Sequence, residues 1–470
     1  MSDLTSLSAV EMAAGIRWRK FSPVELVRAH LDRIARLNPQ LNAFVTIDEE
    51  GARKAAQAAE AAVASGKKLG ALHGVPMTVK SSIDVAGYRC ETGTPLRAGN
   101  VPAADAPLVL RLRSAGAILL GNTNAPEFLM AYETDNPLYG RTNNPWDLAR
   151  TPGGSSGGEA AAIAARCSAG GIGSDGGGSI RIPAHFSGIC GLKPTPGRIP
   201  ATGHFPPSTG PFAALGVVGP MARRVGDLAL FLEVLAGPDL GDPNSAPVPL
   251  RWPGEQELRR FRIGYFEEDG RVPVTAETRA AVRAAAWALE EQNFDVEAFC
   301  PEGLEEARQI WWTLFGPAGS LVLGPTLAGH EGEVGPILRE FMSIVAAEPA
   351  LTLEGFMGAL LRRDEIRARF LAQMEEHPVL LCPVCAVPAF RHRERVWNVE
   401  GRPVEYLDAM SYTQWFNLLG NPVVVVPVGR SPEGLPIGVQ VVGRPHEEEV
   451  VLAIAGRIEQ ACGGQGEPNL

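Results

Sequence analysis

The chain has 470 residues, 45% hydrophobic and 20% charged, a composition that can bury a sizeable core and that fits neither a disordered nor a fibrous protein. Its formal net charge of −10 at pH 7 argues against nucleic-acid and anionic-membrane partners, which call for clustered basic residues. No stretch approaches the roughly eighteen apolar residues of a membrane span, and residues 1–20 lack a signal-peptide core, so the expected location is cytoplasmic.

Seven scattered cysteines (Cys90, Cys167, Cys190, Cys300, Cys382, Cys385 and Cys462) suit a reducing compartment better than a disulfide frame. Cys382-Pro-Val-Cys385 has the spacing of a metal or redox pair. With no second pair and no neighbouring histidine ligands, it reads instead as a buried strand end.

In chain order, the first helix declares itself through its ends. Ser22 is an N-cap, Pro23 stands at the first helical position and Glu25 closes a capping box. Leu26, Leu31, Ile34 and Leu37 follow at helical spacing, and Asn38-Pro39 is the expected stop. An alanine-rich helix over 49–64 leads to the Ser65-Gly66 turn. Residues 74–80, GVPMTVK, read as a buried strand that delivers Lys80 at its end, against the ordinary fate of a lysine as a solvated surface group. A helix over 105–115 and a strand over 117–121 continue a βα alternation. Such alternation predicts an α/β fold with a large mixed, mostly parallel β-sheet covered by helices on both faces. Residues 126–136 read as a loop or broken helix carrying Leu129, Met130 and Tyr132.

The organising stretch is 151–184. It holds two glycine clusters around serine, GGSSGG (153–158) and GGGS (176–179), joined by a predicted helix over 158–169. Glycine at this density lets other groups approach the main chain, so hydroxyls and backbone N–H groups can face a common point. Acyl transfer needs that arrangement: a hydroxyl nucleophile, and donors aimed at the oxygen that becomes negative. Rival readings exist. Gly171-Ile-Gly173-Ser-Asp-Gly176 has the spacing of a dinucleotide fingerprint, yet more glycine and a proline follow instead of a helix, and Pro196 stands where an acid is required. Gly153-Gly-Ser155-Ser-Gly157 matches the nucleophile elbow, which would make Ser155 the nucleophile with a downstream histidine such as His392 or His446. The pattern leaves that reading open. A flexible Gly-Ser linker is disfavoured by the apolar flanks.

Beyond this core, 202–211 reads as a substrate-facing lip, and the proline-rich 237–255 is the one candidate internal boundary. Strands over 262–266 and 294–299 flank a helix over 275–292. Residues 305–374 are mostly helical and, with Trp311, Trp312, Phe315, Phe341, Met342 and Phe356, form a candidate cap over about 300–375; the competing reading is that each aromatic is plain core. Strands over 379–382, 423–428 and 437–442 and a helix over 446–460 close the chain. Because 423–428 is apolar on both faces, it reads as a central parallel strand.

GVPMTVK (74–80), GGSSGG (153–158) and GSDGGGSIRIPA (173–184), in that order, resemble the amidase signature family, and the similarity runs from about Ser22 to the C-terminus. NPLYGRTNNPWD (136–147) and HFSGICGLKPT (185–195) resemble its fatty-acid-amide-hydrolase-like and bacterial aryl-acylamidase-type members. The resemblance implies one domain over residues 1–470 with the signature core at about 70–230. It implies Ser179 as nucleophile, Ser155 as a bridging serine joined to Gly154 by a cis peptide bond, and Lys80 as base. The N–H groups of Gly176, Gly177, Gly178 and Ser179 become the oxyanion donors. Leu129, Met130, Ala131 and Gly154 become substrate contacts, with Phe205, Trp311 and Trp312 as further apolar candidates for the entrance, and Ser156, Asp175 and Arg181 support the loops. Gly176 departs from the threonine or isoleucine of many relatives, which would loosen the oxyanion loop or widen the space beside it.

A lysine can act as base only where burial or nearby positive charge lowers its pKa, a condition the end of an apolar strand meets. No metal or organic cofactor is expected. The expected partner is a small, neutral, hydrophobic amide, anilide, carbamate or ester, cleaved by a monomer or homodimer. The alternative is the glutaminase component of a tRNA-dependent amidotransferase; against it, Met410 stands where an acid is expected seven residues before Asn417.

Overall fold

In the computed structural model, which describes residues 3–464 and 466–470, eleven strands form one sheet. They are β1 (Phe44–Ile47), β2 (Pro76–Lys80), β3 (Ile118–Thr123), β4 (Gly170–Asp175), β5 (Cys190–Lys193), β6 (Val217–Ala222), β7 (Arg262–Tyr265), β8 (Asp295–Ala298), β9 (Val379–Pro383), β12 (Val423–Arg430) and β13 (Pro436–Gly443). Their order across the sheet is β1-β3-β2-β4-β6-β5-β12-β13-β9-β7-β8, and β10 (Val396–Val399) and β11 (Arg402–Glu405) make a separate hairpin.

The sheet is mixed, as expected, but the expected parallel majority is absent among the described residues. Only β2-β3, β2-β4, β7-β8 and β7-β9 run parallel. The other six pairings are antiparallel, including both edges of β12. Two-faced apolarity reports burial, which any central strand experiences, and says nothing of direction.

Successive side chains point to opposite faces, and the two faces carry different cores. Val424 and Val426 of β12 join a core with the helices Val225–Leu235, Ala276–Glu290 and Glu448–Cys462. Val423 and Val425 join another with the helices Arg181–Ser187, Leu304–Phe315 and Ser411–Leu419. The strands β7 and β8, which follow 237–255, extend the same sheet through β9, so that segment does not separate two sheets.

Local chemistry explains where elements begin and where the expectations slipped. The helix Pro23–Leu41 starts with the predicted box: Glu25 N–H donates to Ser22 Oγ at 3.1 Å, and Ser22 N–H donates to Glu25 Oε2 at 2.8 Å. It runs past Pro39, however, and stops where Asn42 turns left-handed at φ 51°. A proline one turn from the end sacrifices a single helical bond, which a terminus tolerates.

The helix expected over 158–169 ends at Ala164, and β4 follows. Its glycines hid this strand. A Cβ on Gly170 would lie 2.5 Å from the Phe231 ring and one on Gly171 1.9 Å from Glu159 Oε1, so β4 passes too close to its neighbours to carry side chains there. Four helices, Leu304–Phe315, Pro317–Leu327, Pro336–Ala346 and Leu353–Gln373, occupy the region expected to be helical. Cys382 and Cys385 are buried and unpaired at the end of β9, in line with the strand-end reading. Among the described residues, no helix is long and apolar enough to cross a membrane.

Candidate active site

The strand alternation of β2 positions Lys80. Met77 and Val79 point into one core, while Thr78 and Lys80 point the other way, towards the helix Gly157–Ala164. Lys80 is fully buried, and its Nζ lies 2.6 Å from Ser155 Oγ, 3.0 Å from Ser156 Oγ and 3.0 Å from Ser174 Oγ. Burial pushes its pKa down to about 7, opposed by the nearby carboxylates of Asp175 and Glu159. Glu159 is itself buried and pushed up to about 7, opposed by the hydroxyls of Thr78 and Thr123 and by Lys80. A neutral Lys80 has a lone pair to accept the Ser155 hydroxyl proton and two N–H groups for Ser156 and Ser174. Neither His392 nor His446 has a hydrogen bond to Ser155, so the lysine occupies the place that the elbow reading reserved for a histidine.

The Gly154–Ser155 peptide bond is cis. Ser156 N–H donates to Ser179 O at 3.1 Å, which ties the two serine loops together. Ser156 Oγ also donates to Ser174 O at 3.2 Å.

Around Ser179 the backbone is directed by one buried ion pair. Asp175 and Arg181 meet at 2.9 Å with both side chains fully buried. Asp175 accepts from Gly178 N–H at 2.7 Å and from Ile180 N–H at 3.1 Å. This narrows the expected donor set: the Gly178 N–H is taken by Asp175, whereas those of Gly176, Gly177 and Ser179 have no acceptor among the described residues. Burial would raise the Asp175 carboxyl, but the Arg181 guanidinium holds it well below the usual carboxylate range. Arg181 also donates to Thr413 O at 2.8 Å and Gln440 Oε1 at 2.9 Å, and Asn417 Nδ2 donates to Asp175 Oδ1 at 3.0 Å.

Two cavities meet at half-buried Ser179. One is lined by Leu129, Met130, Ala131, Tyr132, Gly177, Trp311, Trp312, Phe315 and Phe341. The other is lined by Ser155, Gly176, His204 and Phe212, and shares Leu129, Met130 and Phe315 with the first. Phe128 and Leu129 are successive left-handed residues, φ 48° and 68°, in the short turn Glu127–Leu129, and this reversal places Leu129 and Met130 at both cavities.

Two expected contacts lie elsewhere. Gly154 lines neither cavity; it is packed against Ala131 and Glu133, where a Cβ would meet backbone at 2.6 Å. Phe205 also lines neither, its ring lying 3.6 Å under the Arg97 guanidinium and against Phe128. Beside Gly176 the space is filled rather than widened, since a Cβ there would lie 3.3 Å from Phe315.

Sequence reading missed Ser174 and Glu159 around Lys80, and Tyr132, Thr413, Asn417 and Gln440 around the serine loop. Ser174 could have been suspected beside Asp175 within the motif. Residues more than 230 positions away from Arg181, such as Thr413 and Gln440, leave no local signal.

A family profile described as Amidase matches residues 25–452. The chain is 37% identical to an indoleacetamide hydrolase of Bradyrhizobium diazoefficiens, over 97% of this chain and 86% of that protein. It is 34% identical to an acylamidase of Rhodococcus erythropolis, over 96% of this chain and 95% of that protein. Glutamyl-tRNA(Gln) amidotransferase of Acidothermus cellulolyticus contributes a further relative, one of its subunits being 35% identical over 98% of this chain and 95% of its own length. The structure of a bacterial aryl acylamidase superposes with a TM-score of 0.86 at 28% identity, covering 97% of this chain and 96% of that one. Fold and sequence together define a hydrolase of amide bonds. The chain belongs to the amidase signature family.

Proposed function

We propose that the protein cleaves neutral, hydrophobic amides, anilides or carbamates through an acyl-enzyme on Ser179. The observation that carries this reading is the meeting of the Lys80–Ser155 hydrogen bond, 2.6 Å, with two largely apolar cavities at Ser179. Ser155 passes its proton to neutral Lys80 and accepts the proton of Ser179, whose Oγ attacks the substrate carbonyl carbon. The carbonyl electron pair moves to oxygen and is stabilised by the N–H groups of Gly176, Gly177 and Ser179; losing one such donor costs about 3 kcal/mol of transition-state stabilisation. As the tetrahedral species collapses, the C–N bond breaks and the amine takes the proton back from Lys80 through Ser155. Water then adds to the acyl-enzyme by the same relay and releases the acid and free Ser179.

Ser155 lines only the second cavity, which supports placing the departing amine there and the acyl group in the first. In the first cavity the charged lining groups, Arg395 and Glu340, are paired to each other at 2.8 Å, so neither is offered to a charged substrate. Fluorophosphonate treatment followed by peptide mass spectrometry is expected to find the adduct on Ser179; an adduct on Ser155 would restore the elbow reading.

The similarity to the amidotransferase supports a second reading as a glutaminase. That activity needs a group for the free amino-acid amine, and Met410, at the position where the family resemblance leads one to look, is a fully buried apolar side chain. The purified chain is therefore expected to favour a neutral anilide or aryl carbamate over glutamine in kcat/KM, and a preference for glutamine would reverse the assignment. Met130→Asp places a carboxylate among apolar groups and should lower anilide efficiency by about tenfold or more; an unchanged rate would remove Met130 from the substrate path.

A further inference from the structure

We infer that the indole N–H of Trp311 holds the Gly177 N–H in its oxyanion-binding orientation, which makes Trp311 a positioning residue for the reaction at Ser179. The inference rests on the reading of Ser179 as nucleophile. Three successive peptides form the loop before that serine, and each is restrained differently. The peptide between Gly177 and Gly178 is held at both ends: its carbonyl accepts from Thr413 Oγ1 at 2.7 Å and Tyr132 OH at 3.1 Å, and its N–H donates to Asp175. The peptide between Gly178 and Ser179 is held by the helix that follows, where Ile182 N–H donates to Gly178 O at 2.8 Å. The peptide between Gly176 and Gly177 has one restraint among the described residues, the bond from Trp311 Nε1 to Gly176 O at 2.9 Å.

That single bond decides which way the plane faces. A trans peptide is planar with its N–H opposite its C=O, so anchoring Gly176 O on the indole turns the Gly177 N–H away from it. With glycine on both sides, no Cβ opposes rotation of the plane. Rotation would present the Gly177 N–H to the indole N–H, donor against donor, and leave a buried indole without an acceptor, a costly state. Trp311 can impose this because it does not move freely. It is 2% exposed and stacks on Phe315 with centroids 4.7 Å apart and planes 15° apart. It also packs so closely on the loop that a Cβ on Gly177 would lie 2.5 Å from its ring.

Trp311→Phe keeps a stacked ring and removes the donor. Its kcat on a neutral anilide is expected to fall about tenfold with KM changed less than about twofold, the split expected for an interaction made in the transition state. Affinity for an aryl boronic acid, which becomes tetrahedral on Ser179 and puts an oxygen among the N–H donors, should fall by the same factor as kcat/KM, with the melting temperature close to that of the parent. In the Trp311→Phe background, Gly176→Ala adds a Cβ that resists rotation, and the smaller ring leaves Phe315 room to accommodate it; part of the lost kcat should return. An unchanged kcat and boronate affinity, a loss confined to KM, or no recovery in the double variant would overturn the inference. Fluorophosphonate labelling of the parent at a residue other than Ser179 would instead overturn the underlying reading, so the two failures are told apart.

Discussion

Lys80→Ala is expected to lower kcat/KM on a neutral anilide by about 10³-fold, the range of a positioned general base. The protein should remain folded, because the substitution removes a buried amine and, of the three hydroxyls it leaves, Ser156 keeps Ser174 O as its acceptor. His392→Ala and His446→Ala should keep most of the activity. The pH profile follows from the same residue. In its proposed role Lys80 acts only when neutral, and burial pushes its pKa down to about 7. The rate should therefore rise with pH and level off above about 7, falling about tenfold per unit on the acid side as the amine takes up its proton. A histidine variant that stays folded but loses turnover, or a profile flat between pH 5 and 8 (a window of about three units around the midpoint), would remove Lys80 from the role of base.

Arg181→Leu is expected to be the most destabilising single change at the site, by about 3–5 kcal/mol, the cost of leaving one partner of a buried pair uncompensated. Asp175 would keep its charge in a fully buried position, and Thr413 O and Gln440 Oε1 would lose their donor. The midpoint of urea unfolding at pH 7 reads this directly, and a shift of less than about 1 kcal/mol would mean that water replaces the guanidinium there. The acid dependence has a definite sign. The folded Asp175 carboxyl is held below its unfolded value by Arg181, so the pair's stabilisation is fully present above about pH 4 and is lost as pH falls below that towards the folded value. The parent should lose stability through that window more steeply than Arg181→Leu.

The same residues mark how far the chemistry could be read in advance. Lys80, Ser155 and Ser179 could be named as candidates because family motifs bind residue type to position, and the apolar run before Lys80 already predicted the burial the structure shows. The donor set was legible only in part. Gly178 belongs to the same glycine run as Gly176 and Gly177, and nothing in that run shows that the Asp175 carboxylate claims one N–H. Gly154 and Phe205 were placed at the substrate by resemblance and by hydrophobicity, but packing against Glu133 and a guanidinium over the ring leave them outside the lining of the two cavities at Ser179.

Helices with side-chain caps were set locally: the Ser22–Glu25 box closes within one turn, and the helix Glu49–Ala64 begins at Asp48, whose carboxylate accepts from Gly51 N–H at 2.9 Å. Burial of β12 was also written in its own residues, since an unbroken valine run needs apolar neighbours on both faces. Strand direction was not, because direction depends on where a partner over 200 residues away, such as β5, enters the sheet. The strand β4 was hidden for a related reason: glycine propensity opposes a strand, and only the nearness of Glu159 and Phe231 makes glycine necessary there. Composition and local spacing thus determined the capped helices and the buried strands, and the family resemblance supplied the candidate reacting side chains. Tertiary packing decided the sheet's polarity, which N–H groups stay unbonded beside Ser179, and which aromatic rings wall the cavities, because each of these is a relation between segments that no single segment contains.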